Sequence, residues 1–103
     1  MNHYDYHIDF VKGNVAETDR LIVMAEEAAE LSQACLKLAR YYRGQWSGTD
    51  GAEKLWANIE EEFADLNVCA DALDMEPDAD IMCRKAERWH DRWNIEHAGE
   101  VNK

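Results

Sequence analysis

Four acidic side chains fall into two short groups whose spacing could bring them to one site. Glu27 and Glu30 are three residues apart, and Glu62 and Asp65 have the same spacing farther along the chain. On an α-helix, residues three or four apart lie on one face, so each pair would aim two carboxylates in one direction. Four carboxylates between two antiparallel helices would repel one another unless a cation lay among them. Oxygen ligands without histidine favour Mg²⁺ or Mn²⁺, which predicts a divalent-metal site that handles phosphates.

The composition predicts that helices position these acids. The chain has 103 residues, with one proline and five glycines, and it is rich in alanine, glutamate and leucine. Few helix breakers and many helix formers favour an all-α fold. We expect one domain, an antiparallel bundle of three main helices, and its small size favours completion of a four-helix-type core by a partner subunit.

Capping and turn signals give the expected boundaries. Thr18 is a plausible N-cap for a first long helix that starts near Glu17 and runs to about Arg43, before Gly44. The second helix is expected over 52–75, and the third from Asp78 to residue 94 or 97. Residues 1–16 are predicted to be an arm, either extended or a short helix, laid over a helical domain of residues 17–97. Residues 98–103 are predicted to be a frayed tail.

The first long helix carries two stripes at helical spacing. One is mainly apolar and is the expected core face: Leu21, Ala25, Ala28, Ser32, Cys35, Ala39 and Tyr42. The other places Glu27 and Glu30 among Val23, Leu31, Ala34 and Leu38. A helix that is apolar on more than one side is usually covered on more than one side. The sequence therefore predicts a bundle or subunit interface with two acids set into its wall.

The second helix has a core stripe of Leu55, Ile59, Phe63, Leu66, Ala70 and Leu73. Glu62 is only about 50° from the centre of that stripe, and Asp65 lies farther round on the same side. Burying an unpaired charge is costly, so Glu62 must be paired, metal-bound or protonated. A site is therefore favoured over a solvated run of charges, whereas Glu60 and Glu61 point elsewhere.

The net charge and the cysteine content limit which partners and which cellular compartment are expected. The net charge of −11 argues against binding a nucleic acid polymer, whose phosphates need a basic surface. The three cysteines are widely spaced, without a CxxC motif, and are expected to be buried free thiols in a reducing compartment. No apolar run reaches the ~18 residues of a membrane span. A cytoplasmic protein without membrane contact is expected.

The third helix and the loop before the second helix offer groups that could contact a ligand. Four basic residues cluster at Arg84, Lys85, Arg88 and Arg92, on faces next to a packing stripe of Met82, Ala86, Trp89 and Trp93. Intrahelical ion pairing is the preferred interpretation for Arg84 and Arg92. Trp46, in a polar loop, is interpreted either as a cap over the core or as a lid that stacks on a ligand base.

The acidic and basic motifs together resemble a known family. The pattern Glu26-Glu27-x-x-Glu30, then Glu62-x-x-Asp65, then Lys85-Ala-Glu-Arg88-Trp89, is similar to that of the MazG-like all-α nucleoside triphosphate pyrophosphohydrolases. Relatives of that family include dimeric dUTPases, dCTP pyrophosphatases and phosphoribosyl-ATP pyrophosphohydrolases. The resemblance covers roughly residues 18–93. The interval from Glu30 to Glu62 is slightly longer than in the compact members, and no base-selecting residue can be matched.

The resemblance implies Mg²⁺-dependent hydrolysis of a (deoxy)nucleoside triphosphate to the monophosphate and pyrophosphate, for sanitation or regulation of nucleotide pools. It implies metal ligation by Glu27, Glu30, Glu62 and Asp65, and a supporting or water-orienting role for Glu26. Lys85 and Arg88 would hold phosphate oxygens, and Trp46 or Trp89 would stack on the base. It also implies a homodimer, or a tetramer built from dimers.

Two other protein classes are alternative interpretations of the sequence. A non-catalytic helical-bundle interaction protein with surface acids explains Glu26, Glu60 and Glu61 but explains Glu62 poorly. A carboxylate-bridged di-iron bundle would need Glu-x-x-His on two helices, and neither acidic helix carries a histidine.

Overall fold

The computed structural model describes residues 2–98, and that part of the chain is all-α, with four helices and no strand. The helices are α1 (His3–Asn14), α2 (Glu17–Tyr42), α3 (Ala52–Ala72) and α4 (Ala79–Glu96). The predicted all-α class is confirmed. The three long helices lie where the capping and turn signals put them, to within a few residues, and α1 is an additional element.

Helices α2 and α3 form an antiparallel hairpin. Near the start of α2, the Arg20 guanidinium donates to the backbone carbonyl of Ala72 at the end of α3. At the other end, Trp56 Nε1 donates to the Tyr42 hydroxyl over 2.9 Å. The predicted N-cap of α2 is wrong: Ala16 is the N-cap residue, with no side-chain hydrogen bond, because the helix begins one residue before Thr18.

The interface between α2 and α3 uses the second of the two α2 stripes. The buried residues are Ala34 and Leu38 from α2, and Leu55, Cys69 and Ala72 from α3. The stripe expected to be the core is exposed, including Leu21, Cys35 and Tyr42. That prediction is wrong because both stripes are apolar, and the surface of α3 determines which of them is covered. The consequence is that Glu27 and Glu30 face α3.

Helix α1 crosses the end of the hairpin at which α2 begins. The Tyr4 hydroxyl donates to Asp71, and Lys12 Nζ donates to Asp74 over 2.6 Å. Its Ile8 and Val11 are half-buried three residues apart, a helical spacing that the alternation of polar and apolar residues obscures. Of the two alternatives for the arm, the short helix is the one observed.

Helix α4 leaves the hairpin uncovered. Asp78 caps it by accepting from the Ile81 amide over 2.9 Å, and every residue from Ala79 to Glu96 is exposed. The Cα radius of gyration is 18.3 Å, against about 13 Å for a compact domain of this length. Within the described residues neither Arg84 nor Arg92 forms an ion pair, so the predicted intrahelical pairing is not observed.

The total exposed surface is correspondingly large. The chain exposes 8397 Å², about 2,500 Å² more than the ~5,900 Å² typical of a compact monomer of this mass. Trp89 is 76% exposed, and Met82, Trp93 and Ile95 are exposed beside it. The stripe of α4 is therefore apolar but not packed within one chain.

Cysteine burial differs from the expectation. All three thiols are free, but only Cys69 is buried, whereas Cys35 and Cys83 are exposed. No helix in the described range is both long and apolar enough to cross a bilayer.

Candidate acidic site between helices α2 and α3

Three of the predicted acids come together at the centre of the hairpin. Glu27 and Glu30 on α2 and Glu62 on α3 each place a carboxylate oxygen within 4.8 Å of the other two. The arrangement follows from helical spacing, because Glu30 is one turn before the buried Ala34, and Glu62 is two turns after the buried Leu55. The α2–α3 interface therefore holds the three carboxylates in one cluster.

Two oxygens in this cluster lack partners. Glu27 Oε2 and Glu62 Oε2 are inaccessible to solvent and accept no hydrogen bond from any group in residues 2–98. Buried acceptors are normally satisfied, and leaving one unpaired is unfavourable. Both oxygens belong to side chains that are otherwise half-buried, so a small ligand with positive charge would satisfy them without opening the hairpin.

The electrostatics agree with the geometry. Burial, and then the neighbouring charges of Glu30 and Asp65, raise the pKa of Glu27 above its ordinary value. Burial also raises the pKa of Glu62, and the neighbouring carboxylates of Glu30, Asp65 and Glu27 raise it further. Each carboxyl is thus harder to ionise than a free glutamate, because its negative charge is desolvated beside other negative charges.

The remaining predicted acids lie at the margin of the cluster. Asp65 is exposed, and its charge acts on Glu27, Glu62 and Cys69, whose thiol pKa is raised first by burial and then by Glu27 and Asp65. Glu26 is exposed and makes the smallest of the contributions to the pKa of Glu27. Asp65 therefore adds negative potential to the site without joining the three-oxygen cluster.

A cavity of about 450 Å³ opens directly beside the acids. Its lining begins with Glu30 and Glu62 and continues along the hairpin over Gln33, Ala34, Lys37, Leu55 and Asn58. This volume lies within the range of about 300–1,000 Å³ that small-molecule sites occupy. The cavity therefore has room for an organic ligand next to the carboxylates.

The other predicted substrate-binding residues lie elsewhere. Lys85, Arg88 and Trp89 line a separate groove of about 240 Å³ on α4, together with Arg92. Trp46 is half-buried in the loop, outside the lining of the acidic cavity, and its buried indole nitrogen has no hydrogen-bond partner among residues 2–98. A single chain thus does not bring the basic helix or either tryptophan to the acids.

Sequence reasoning missed three lining residues, namely Gln33, Lys37 and Asn58. A usable signal was present, because Gln33 and Lys37 follow Glu30 by three and seven residues, and Asn58 precedes Glu62 by four. These are same-face spacings on the two helices that carry the predicted acidic ligands. Polar residues at such positions are common on solvated helices, so spacing alone did not distinguish them.

Comparisons with family models, with curated proteins and with solved structures found no match for this chain. The chemistry of the site is therefore inferred from its own groups. Carboxylate oxygens are the ligands that Mg²⁺ and Mn²⁺ prefer, and two of those present are buried without a hydrogen bond. The residues fit a divalent cation, which Glu27, Glu30 and Glu62 could hold, with Asp65 nearby.

Proposed function

We propose that this chain is a Mg²⁺-dependent nucleoside triphosphate pyrophosphohydrolase that releases a nucleoside monophosphate and pyrophosphate. The observation that carries the proposal is the pair of unpartnered, buried carboxylate oxygens of Glu27 and Glu62 beside a 450 Å³ cavity. The resemblance of the three motifs to MazG-like enzymes adds the reaction class. Nucleotide-pool sanitation or regulation is the corresponding role.

Mg²⁺, or Mn²⁺ in its place, would be held by Glu27, Glu30, Glu62 and Asp65 and would neutralise phosphate charge and lower the pKa of water. Glu26 supports these ligands or orients the attacking water. The water oxygen forms a bond to the α-phosphorus, and the bond from that phosphorus to the oxygen bridging to the β-phosphorus breaks. Pyrophosphate leaves with the electron pair, and the water proton passes to a carboxylate of the site.

Lys85 and Arg88 are proposed to hold the phosphate oxygens, and this requires a second subunit. In one chain α4 stands away from the acids, and the chain exposes about 2,500 Å² beyond a compact monomer, within the range that each partner of an obligate homodimer buries. Burial of the α4 stripe in a homodimer, or in a tetramer of two dimers, would bring the basic helix of one subunit to the acids of another. Trp89 lies on the same helix and is the tryptophan better placed to accompany a ligand.

The test is to incubate the purified protein with each common NTP and dNTP, with Mg²⁺ or with EDTA, and to separate the products by chromatography. We expect monophosphate and pyrophosphate, lost with EDTA and lost in Glu62→Gln. The matched control is Glu61→Gln, which makes the same change at an exposed neighbouring position and should retain turnover. Diphosphate plus phosphate would refute the pyrophosphohydrolase reaction. No turnover, together with no Mg²⁺ binding by calorimetry, would favour a non-catalytic interaction protein.

A further inference from the structure

The wall of the acidic cavity carries three polar side chains whose hydrogen-bonding groups are unused. Gln33 and Lys37 come from α2 and Asn58 from α3, and none of the three side chains forms a hydrogen bond or an ion pair with the part of the chain the structure describes. Ala34 and Leu55 supply apolar surface between them. A cavity lined by a few unpaired polar groups over an apolar floor is typical of a small-molecule site.

These groups are ordered along the axis of the hairpin. Lys37 is seven residues after Glu30, which is about two turns and about 10 Å along α2, on the same face. Asn58 stands one turn from Glu62 on α3, in the direction of the same end of the hairpin. A ligand whose phosphates meet the carboxylates would therefore direct its non-phosphate part past Gln33 and Asn58 towards Lys37.

We propose that this wall receives the nucleoside of the substrate and that Lys37 selects a base with an oxygen acceptor at position 6 of a purine or position 4 of a pyrimidine, as in guanine, uracil and thymine. The inference rests on the proposed function for the position of the phosphates. It goes beyond that function by naming the base class and the residue that reads it. Lys37 is a specificity-determining residue here and takes no part in bond cleavage.

The chemistry of the lysine ammonium gives the direction of the preference. An ammonium group has three donors and no acceptor, whereas the amides of Gln33 and Asn58 can both donate and accept. The amides can therefore adapt to any base, but Lys37 can bond only to an acceptor. Adenine and cytosine carry an exocyclic amino donor where guanine and the keto pyrimidines carry an oxygen acceptor, so an amino base would set donor against donor.

A phosphate-binding role for Lys37 is the main alternative, and its consequences differ. A lysine that binds a phosphate oxygen would increase kcat/KM equally for all nucleotides, because the triphosphate is common to them. A lysine that binds the base edge would favour guanine over adenine and uracil over cytosine. Each of these comparisons is between two bases of the same ring size. Base dependence of the effect of Lys37 thus separates the two roles.

The experiment measures kcat/KM for GTP, ATP, UTP and CTP in Mg²⁺ with the unmodified chain, with Lys37→Met and with Lys54→Met. Methionine preserves the aliphatic stem and the helix propensity at this exposed position, and circular dichroism verifies the fold. We expect Lys37→Met to lose about tenfold in kcat/KM for GTP and UTP and little for ATP and CTP. Lys54 is exposed on α3 outside the cavity, so its substitution should leave the profile unchanged.

Calorimetric titration with GMP, AMP, UMP and CMP in Mg²⁺ provides a second readout that does not need hydrolysis. Tighter binding of GMP and UMP, lost in Lys37→Met, would uphold the inference even if no triphosphate were hydrolysed, in which case only the proposed function would fail. Turnover that favours ATP and CTP, or an equal loss for all four bases in Lys37→Met, would overturn the inference while leaving the reaction intact. Absence of both turnover and monophosphate binding would refute both proposals.

Discussion

Glu27 on α2 and Glu62 on α3 bring carboxylate oxygens within 4.8 Å of each other, and each side chain buries one oxygen that accepts no hydrogen bond from the described residues. Two helices that could turn either acid towards water instead direct both to their interface. The interface is therefore electrostatically unfavourable in the absence of a positive partner. That property makes the site testable by stability as well as by activity.

Replacing Glu62 by glutamine should stabilise the metal-free protein and remove its response to Mg²⁺. The substitution relieves repulsion with Glu27 and Glu30 but deletes a proposed ligand. In the unmodified chain, Mg²⁺ at a hundredfold excess over its Kd should add about 2.7 kcal/mol to the free energy of unfolding. Thermal melts with and without Mg²⁺ measure both effects. Glu61→Gln is the control and should keep the Mg²⁺ response; a Glu62→Gln protein that still gains stability from Mg²⁺ would contradict the assignment.

The free energy of unfolding in EDTA should fall as the pH rises from about 4.5. The folded-state pKa values of Glu27 and Glu62 are raised above their ordinary value of 4.5, so the folded state binds more protons than the unfolded state in this window. The stabilisation that these two protonated carboxyls contribute is therefore fully present below about pH 4.5. It is lost as the pH rises through their raised folded-state pKa values.

Urea unfolding at closely spaced pH values, in EDTA, measures this slope. The double substitution Glu27→Gln with Glu62→Gln should flatten it, because neither side chain then titrates. With Mg²⁺ present the trend should be opposed, since metal binding requires deprotonated ligands and strengthens with pH. A slope unchanged by the double substitution would assign the pH dependence to other groups.

Arg20→Ala should lower the free energy of unfolding by about 2 kcal/mol. The part-buried guanidinium donates to the Val15 carbonyl over 3.0 Å and to the Ala72 carbonyl, joining the start of α2 to the α1–α2 link and to the end of α3. Arg20→Lys should not restore the loss, because an ammonium lacks the planar fork that reaches both carbonyls. Urea titration measures the change, and Arg84→Ala on the exposed α4 should have little effect.

Gly48→Ala should destabilise the loop between α2 and α3. A Cβ on Gly48 would overlap the Trp46 indole at Cζ2, so the indole would have to move. Gly13→Ala, within α1, is the control, because nothing lies within 4 Å of the added carbon and alanine is the better helix former. Thermal melts should show a lower Tm for Gly48→Ala alone. In a Trp46→Ala background the same substitution should have almost no further effect, and an equal loss in both backgrounds would contradict the contact.

Charging the apolar stripe of α4 should disrupt the proposed dimer. Trp89 is 76% exposed in one chain, and an aspartate at this position would place a charge in any interface that covers it. We expect sedimentation to show a dimer or tetramer for the unmodified chain and a monomer for Trp89→Asp. Glu87→Ala, on the same exposed helix, should retain the larger species. A monomeric unmodified protein would refute the partner-completed site.

Local rules were sufficient for much of the architecture and for the choice of acids. The scarcity of glycine and proline predicted an all-α chain, and capping and turn signals placed α2, α3 and α4 to within a few residues. The three-residue spacing of Glu27 and Glu30 predicted that they share a face. These features depend on backbone propensity and helical geometry. Both act over a few neighbouring residues and can therefore be predicted from a sequence.

Only the tertiary structure decided which surfaces meet. Two stripes of α2 were apolar enough to be buried, and the match to Leu55 and Cys69 selected the one that carries the acids. The same pairing determined that Gln33, Lys37 and Asn58 share a cavity. Arg84 and Arg92, on the outlying α4, form no ion pair within residues 2–98. Burial and cavity shape depend on how two helices pack against each other. The free energy of that packing is a property of the pair and cannot be read from either helix alone.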